Sequence, residues 1–476
     1  RSEDTETSTL IKIKDGKING SVYGGGNKNG SGDTTKNSTI NILMYGGEVD
    51  GSIYGGSNEK GVIYGNVNVK VIGGVSSNVF GGGRGGYLSS TYPGTFVTKE
   101  VSVIIGDSSS SLVPQISGEV FGGSAYGTVN GSTNDSDVST SDTTVVVNKG
   151  EIGSVFGGGK GDADYTPYVK GNVTVTINDG DITNVFGGND ASGTPNGTVK
   201  VYLKGGNITN TYGGGNQTSV PVTNVYLQGA TAGNIFGGSN MSGDVTTSNV
   251  IATSGKATSI YGGNNEGGVT TTSNVTIDGA ESSEVYGGGN LAKTDVTNVK
   301  INSGTVVNCF GGGKSADIET ETKVDLNGGT VTSVYGGSNS SGSVPVSTVN
   351  FNDGAVTNIY GGNNEGGSVT TTNVNLKGSS AKNVFGGGNR ASSVTSNIVL
   401  DGSSITNIFG GGNAAGLTTS NINLKSGSST NVFGGSNEEG DVDQSNIITS
   451  ETTNTNGAVN NDLKINVNSE AVEVNP

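Results

Sequence analysis

The sequence contains no histidine, no tryptophan, one cysteine (Cys309) and three arginines (Arg1, Arg84 and Arg390) among its 476 residues. The side chains that most often act as general bases, metal ligands and anion clamps are nearly missing, which argues against an enzyme before any motif is read. A single cysteine cannot close an internal disulfide. No apolar run approaches the roughly 18 residues that a membrane-spanning helix needs, so no membrane insertion is expected. The net charge is −16, from 41 acidic and 25 basic side chains, and nucleic acid would be repelled. The 87 glycines do not follow the three-residue period of collagen, and no segment carries a capped 3.6-residue pattern. The chain begins at Arg1 without an initiator methionine or a signal-peptide core, which reads as a processed chain or a segment of a longer one.

What the sequence has in excess is repetition. An aromatic followed by Gly-Gly recurs sixteen times, at Tyr23, Tyr54, Phe80, Phe121, Phe156, Phe186, Tyr212, Phe236, Tyr261, Tyr286, Phe310, Tyr335, Tyr360, Phe385, Phe409 and Phe433. Spacings vary up to Tyr212 and then settle at 24 or 25 residues. A fixed period of this length marks a solenoid. One clean copy runs Asn373-Val374-Asn375-Leu376-Lys377-Gly378, then Ala381-Lys382-Asn383-Val384-Phe385 with its glycines, then Val394-Thr395-Ser396. The first piece alternates apolar with polar residues, as a half-buried strand does. The second ends in an aliphatic-aromatic pair, and the third is a Thr-rich strand of the Val269-Thr270-Thr271-Thr272 kind.

Three short strands per repeat predict an all-β fold: a parallel β-helix, or β-solenoid, of about 16 coils of roughly 24–25 residues, right-handed as such crossovers usually are. A leucine-rich repeat has a similar period, but Gly410 stands at one of its leucine positions and no helical segment closes the coil. One coil cannot bury enough apolar surface to offset the ordering of its backbone, so stability must come from the interfaces between coils.

Stacking converts each repeated residue into a column. The aromatic column of the regular repeats, Tyr212, Phe236, Tyr261, Tyr286, Phe310, Tyr335, Tyr360, Phe385, Phe409 and Phe433, is expected as a structural ladder. Because each ring follows an aliphatic residue, strict alternation would turn one of the pair outward, while a bend between them would bury both. The sequence leaves a buried stack and an exposed stripe open. A structural asparagine ladder is expected at Asn249, Asn274, Asn298, Asn373, Asn397, Asn421 and Asn446, interrupted by Lys323 and Thr348. A further asparagine column holds Asn184, Asn210, Asn234, Asn308, Asn358, Asn383, Asn407 and Asn431. Cys309 stands where other repeats carry Val or Ile and reads as a small buried hydrophobe.

The long spacings arise from insertions at 83–100, 124–142 and 160–171, all after the Gly-Gly turn and so at one edge of the solenoid. They carry Tyr87, Tyr92, Tyr126, Tyr165 and Tyr168, with Asp162 and Asp164 nearby, and these tyrosines are the candidate ligand-binding residues. No catalytic or metal-binding residue is assigned and no cofactor is expected. Glu438, Glu439, Asp441 and Asp443 could hold Ca²⁺ weakly, although a solvated acidic turn is the simpler reading. Carboxylates otherwise lie in Asp-Gly turns or singly in loops with no Arg among them, unlike the acid clusters of polysaccharide-degrading β-helices. Ice binding is suggested by Thr270–Thr272, Thr370–Thr372 and Thr418–Thr419, but these threonines hold no regular outward register.

Through its Val-Phe/Tyr-Gly-Gly-Gly/Ser-Asn repeats across about residues 21–437, the chain resembles the secreted β-solenoid adhesins and fibre-forming stalks of bacterial cell surfaces. The resemblance is one of architecture. It implies a non-catalytic extracellular structural or adhesive protein, a surface rod or filament subunit, and carries over no ligand; separately, the uncapped terminal coils are expected either to be capped by neighbouring sequence or to associate end to end, and a host or cell-surface glycan or protein is the candidate partner. A carbohydrate-binding module using the Tyr-bearing loops is the first alternative, and a polysaccharide-degrading β-helix the second. Residues 1–210 read as a section with long inserted loops, 211–437 as regular repeats, and 438–476 as a terminal coil, cap or linker.

Overall fold

The computed structural model describes residues 7–31, 38–86, 94–133 and 137–449, together with the backbone of 464–465 and 472–475. Among the described residues there is no helix. The chain divides into two compact units, 1–248 and 249–476, and each is a β-solenoid of parallel, stacked coils, about 16 turns in all. The change in repeat length at 210/211 falls inside the first unit.

In the first unit the coils are built from pairs of short strands such as Thr143–Val147 with Glu151–Phe156, Val173–Ile177 with Asp181–Phe186, and Val199–Leu203 with Asn207–Tyr212. Like residues sit on like residues: Val145 pairs with Val175 and Val175 with Val201, while Phe156 pairs with Phe186 and Phe186 with Tyr212. The period-2 pattern explains the burial, since Val173, Val175 and Ile177 are inaccessible while Thr174 and Thr176 face outward. A third side is formed by a separate parallel sheet of Gly61–Ile63, Thr95–Val97 and Thr128–Val129, continued by single bridges from Val129 to Val169 and from Val169 to Pro195. Ile63, Val97, Val129 and Val169 all point into the core there. The insertions therefore leave the coil and rejoin it at one shared hydrophobic column.

In the second unit the third piece of each repeat is not a separate strand, contrary to the expectation of three short pieces. Thr270–Tyr286 and Thr294–Phe310 each run 17 residues without a break. The bends between faces are absorbed as register shifts, as between Ile277 and Asp278 and between Asp278 and Glu281, so the parallel ladder continues around the corner instead of stopping at a turn. Gly279 takes φ +121° at this bend, a conformation that residues with a Cβ resist.

Both members of the aliphatic-aromatic pair are buried, because the chain bends between them. Val285 and Tyr286 are each 0% exposed. The two glycines that follow have no room for a side chain: a Cβ on Gly287 would collide with the carbonyl oxygen of Gly311 in the next coil. A column of buried hydroxyls closes the coil across its interior. Ser273 Oγ donates to the Gly287 carbonyl at 2.5 Å, and Thr297, Thr322, Ser347, Thr372 and Ser396 do the same to Gly311, Gly336, Gly361, Gly386 and Gly410.

The position after Gly-Gly is filled in three ways, one of them a buried serine such as Ser338. Where it is Gly289, Gly313, Gly388 or Gly412, an alanine three residues later (Ala292, Ala316, Ala391, Ala415) is buried. Where it is Asn264 or Asn363, the asparagine itself is buried and a glycine (Gly267, Gly366) stands three residues later. Asn363 is fully used: Oδ1 accepts from Ser338 N at 2.7 Å, and Nδ2 donates to the carbonyls of Gly342 and Gly366, each at 2.9 Å. Each arrangement fills the same interior space, as close packing demands.

Candidate functional site

The corner that follows Gly-Gly carries a stacked column whose backbone amides bond coil to coil through Asn58, Arg84, Ala125, Lys160, Asp190, Asn216 and Asn240. At its two ends the side chains form an amide ladder, with Asn58 Nδ2 donating to Asn27 at 2.7 Å, Asn216 to Asp190 at 2.9 Å and Asn240 to Asn216 at 2.8 Å. In the middle, where the three insertions leave, the ladder gives way to Arg84, Ala125 and Lys160. Arg84 Nη1 lies 3.4 Å from Asn58 Oδ1, and Lys160 Nζ lies 3.6 Å from Glu119 Oε2. Burial raises the Glu119 carboxyl above the usual range; Lys160 opposes that shift and Asp190 adds to it.

Two of the candidate tyrosines converge on this corner. The rings of Tyr126 and Tyr165 are 5.2 Å apart between centroids and tilted by 48°, and both are half-buried. Tyr126 is placed by its backbone amide, which donates to the Arg84 carbonyl at 2.7 Å. Tyr165 is placed by Asp162, whose Oδ1 accepts from the amides of Asp164 and Tyr165 at 2.9 and 2.8 Å, and by Ser192 Oγ, which donates to the Tyr165 carbonyl at 2.8 Å. Of the two aspartates noted in the sequence, Asp162 thus shapes the loop through an Asx turn, and Asp164 supplies only a backbone amide to it. Tyr168 is half-buried on the strand-like segment leading to Val169, and among the described residues no ring contact links it to that pair. Tyr87 and Tyr92 lie outside the described residues.

The column residues fall as follows. In the first unit the rings from Tyr23 to Phe236 stack with centroids 4.5 to 5.1 Å apart. In the second, Tyr261, Tyr286, Phe310, Tyr335, Tyr360, Phe385, Phe409 and Phe433 stack at 4.6 to 4.9 Å. Interplanar angles stay at or below 10° within each stack, and the rings face the core. An exposed stripe of these rings for sugar stacking is overturned by that burial. The Asn249 column forms side-chain amide bonds at 3.0 and 3.1 Å from Asn274 to Asn249 and from Asn298 to Asn274, then resumes past Lys323 and Thr348 from Asn397 to Asn373, Asn421 to Asn397 and Asn446 to Asn421. Lys323 in the gap pairs with Asp325 at 3.1 Å. Glu438, Glu439, Asp441 and Asp443 are all exposed, and among the described residues no group of three or more His, Cys, Asp or Glu side chains could hold a metal ion.

Three features escaped the sequence reading. Ser52, Ser259 and Ser333, each two residues before a stacked tyrosine, oppose the rise that burial imposes on the hydroxyls of Tyr54, Tyr261 and Tyr335. On the outer face of the first unit, Tyr202 and Tyr226 stack at 4.7 Å with Lys204 Nζ 5.7 Å from the Tyr202 centroid. Finally, the outer face of the second unit carries a shallow groove of about 620 Å³, lined by hydroxyls including Thr330, Thr332, Thr357, Ser380 and Thr406, with Lys382 beside them.

No known protein-family model, curated protein or solved structure matches the chain. Its class therefore rests on its own geometry, which is that of a parallel β-solenoid.

Proposed function

We propose that the protein is a non-catalytic structural and adhesive β-solenoid of the bacterial cell surface, serving as an extracellular spacer or filament subunit. The observation that supports it is where the polar side chains go. Asparagine, serine and threonine amides and hydroxyls are engaged with their counterparts in neighbouring coils or with glycine carbonyls, which is the chemistry of a scaffold.

The convergence of Tyr126 and Tyr165 favours a second role on the same scaffold, contact with a glycan. Two half-exposed rings at an angle, flanked by Arg84 and Lys160, offer apolar faces beside polar groups, which suits a sugar ring. Negative-stain electron microscopy of the full chain tests the first role: filaments support a filament subunit, isolated rods at all concentrations support a monomeric spacer and remove assembly, and compact particles without a rod remove both. A glycan array with the parent chain and with Tyr126→Ala and Tyr165→Ala tests the second. Binding lost in both variants while melting is unchanged supports the corner as the contact. Binding that survives in both excludes it, and release of sugar from acidic polysaccharides would favour the enzymatic alternative.

A further inference from the structure

The shallow groove on the outer face of the second unit, about 620 Å³, lies where the otherwise continuous ladder is interrupted. The coils on either side run unbroken over Ser343–Tyr360 and Ser393–Phe409, whereas the coil between them is two strands, Ser368–Leu376 and Ser380–Phe385. Pairing with the preceding coil accordingly skips from Phe351–Leu376 to Val356–Ala381. Two small residues set the depth: Ala355 stands over Thr330 of the preceding coil, and Ala381 beneath Ile405 of the following one. At the floor Val356 and Ala381 are 8% and 6% exposed, against 1% for Val331 and 2% for Ile405.

The scaffold does not use the polar side chains that line this groove. Thr330, Thr332, Thr357, Ser380 and Thr406 are exposed and make no side-chain hydrogen bond among the described residues. Exposure alone does not account for that. At the bend just before this face the exposed amides are paired, Asn352 donating to Asn327 and Asn327 to Asn302, each at 3.0 Å. Lys382 is the one charged side chain lining the groove, and it makes no ion pair among the described residues. Asp353, next to the lining residue Gly354, is already engaged: its Oδ1 accepts from Gly354 N at 2.8 Å and from Ser379 Oγ. Thr332, Thr357, Lys382 and Thr406 each follow a residue paired coil to coil, so these groups recur along the face at the strand spacing of about 4.8 Å.

We propose that this groove holds a sparsely acidic polysaccharide, one that bears a carboxylate on some of its sugars, with a carboxylate on Lys382 and sugar hydroxyls on the Thr and Ser side chains. Serine and threonine hydroxyls donate and accept, as sugar hydroxyls do, while an ammonium only donates and so calls for an acceptor such as a carboxylate. The groove is open to solvent along its length, which suits an extended chain: each sugar makes few contacts and the coils repeat them. That repeat is close to the length of one sugar unit in an extended glycan. A densely charged polyanion is disfavoured by the net charge of −16. No lining residue is aromatic, so recognition here is by hydrogen bonds and one charge, without ring stacking. Tyr126 and Tyr165 belong to the first unit and take no part.

Isothermal titration of the full chain with a hyaluronan hexasaccharide, an N-acetylglucosamine hexamer and heparin tests it. Saturable hyaluronan binding is expected, about tenfold tighter than the neutral hexamer, and heparin should bind no more tightly than hyaluronan. Lys382→Met should bring hyaluronan down to the level of the neutral hexamer. Thr332→Val combined with Thr357→Val should weaken both oligosaccharides about fivefold. All three residues are exposed, so the melting temperature should stay where it is in each variant. Tyr126→Ala should leave every one of these affinities unchanged. Absence of hyaluronan binding, or binding unaltered in Lys382→Met, overturns the proposal. Binding lost in Tyr126→Ala but kept in Lys382→Met also overturns it, and places the glycan at the corner of the first unit.

Discussion

The side-chain amide of Asn339 donates to the hydroxyl of Tyr286 at 2.9 Å, across 53 residues of sequence. The contact exists because Lys314 occupies the coil between Asn290 and Asn339 in their column. Asn290 bonds back to Asn265 at 2.9 Å, but Lys314 offers no carbonyl for Asn339 to use, and the amide turns to the buried phenol instead. Beyond the gap the ladder resumes, Asn364 on Asn339 and Asn389 on Asn364. A single substitution in a ladder is thus accommodated by the ring stack beside it.

Alkaline pH should destabilise the second unit through that stack. Burial raises the hydroxyls of Tyr261 and Tyr360 to about 12, with Glu284 adding to the shift at Tyr261 and Tyr335 adding at Tyr360. Tyr286 is raised as well, by burial first and Glu284 second. In the unfolded chain a tyrosine titrates near 10, so the folded state holds the proton more tightly. That contribution is complete below about pH 10 and is lost as pH rises toward about 12. Urea midpoints measured between pH 8 and 11.5 should fall above pH 10 in the parent chain and fall less in a Tyr261→Phe, Tyr360→Phe variant. Equal slopes would show that these phenols are not the cause.

Removing one hydroxyl of the coil-closing column should matter more than removing another. Ser396 Oγ donates to the Gly410 carbonyl at 2.6 Å, whereas Ser420 Oγ, buried in the same column, has no hydrogen-bond partner. Ser396→Ala should cost about 1–2 kcal/mol, because it strips a donor from a buried carbonyl, while Ser420→Ala should be neutral or stabilising. Urea midpoints of the two variants, compared under identical conditions, check the order. Equal losses would assign the column a packing role alone.

Cys309 should be silent until the chain opens. It is fully buried between Val285 and Val334 in its column, and burial pushes the thiol up to about 12. Reaction with a disulfide reagent at pH 8 should proceed at the rate of unfolding and accelerate with urea. Cys309→Val should change the midpoint by less than about 1 kcal/mol in equivalent stability, as a near-isosteric swap does. Rapid labelling in buffer would contradict the packing described.

Much of the coil was legible in the letters. The recurrence of Val-Phe-Gly-Gly fixed the period, and alternation in stretches such as Val173–Ile177 fixed which residues of the first strand point inward. The bend between Val285 and Tyr286 was not legible, since pattern alone cannot say where a strand turns its next side chain back to the same face. The division of labour between Asn363 and Ala391 was written in the repeats too, as Gly-Gly-Asn against Gly-Gly-Gly with a later alanine, but only the shared interior gives that pairing its meaning.

The candidate site was legible in part. Tyrosines and aspartates in the insertions were visible as residues, yet which of them meet depends on where the loops rejoin the coil, a matter of the third sheet at Ile63, Val97 and Val129. Lys382 gave no sign in sequence, standing as one lysine among many until the fold set it in a groove of unpartnered hydroxyls. Local pattern and repeat length by themselves determined that parallel strands stack in register, because both follow from short-range geometry applied over and over. Which side chains share a cavity, which rings touch and which hydroxyl lacks a partner were decided only by tertiary structure, because they depend on distances between segments that no local rule specifies.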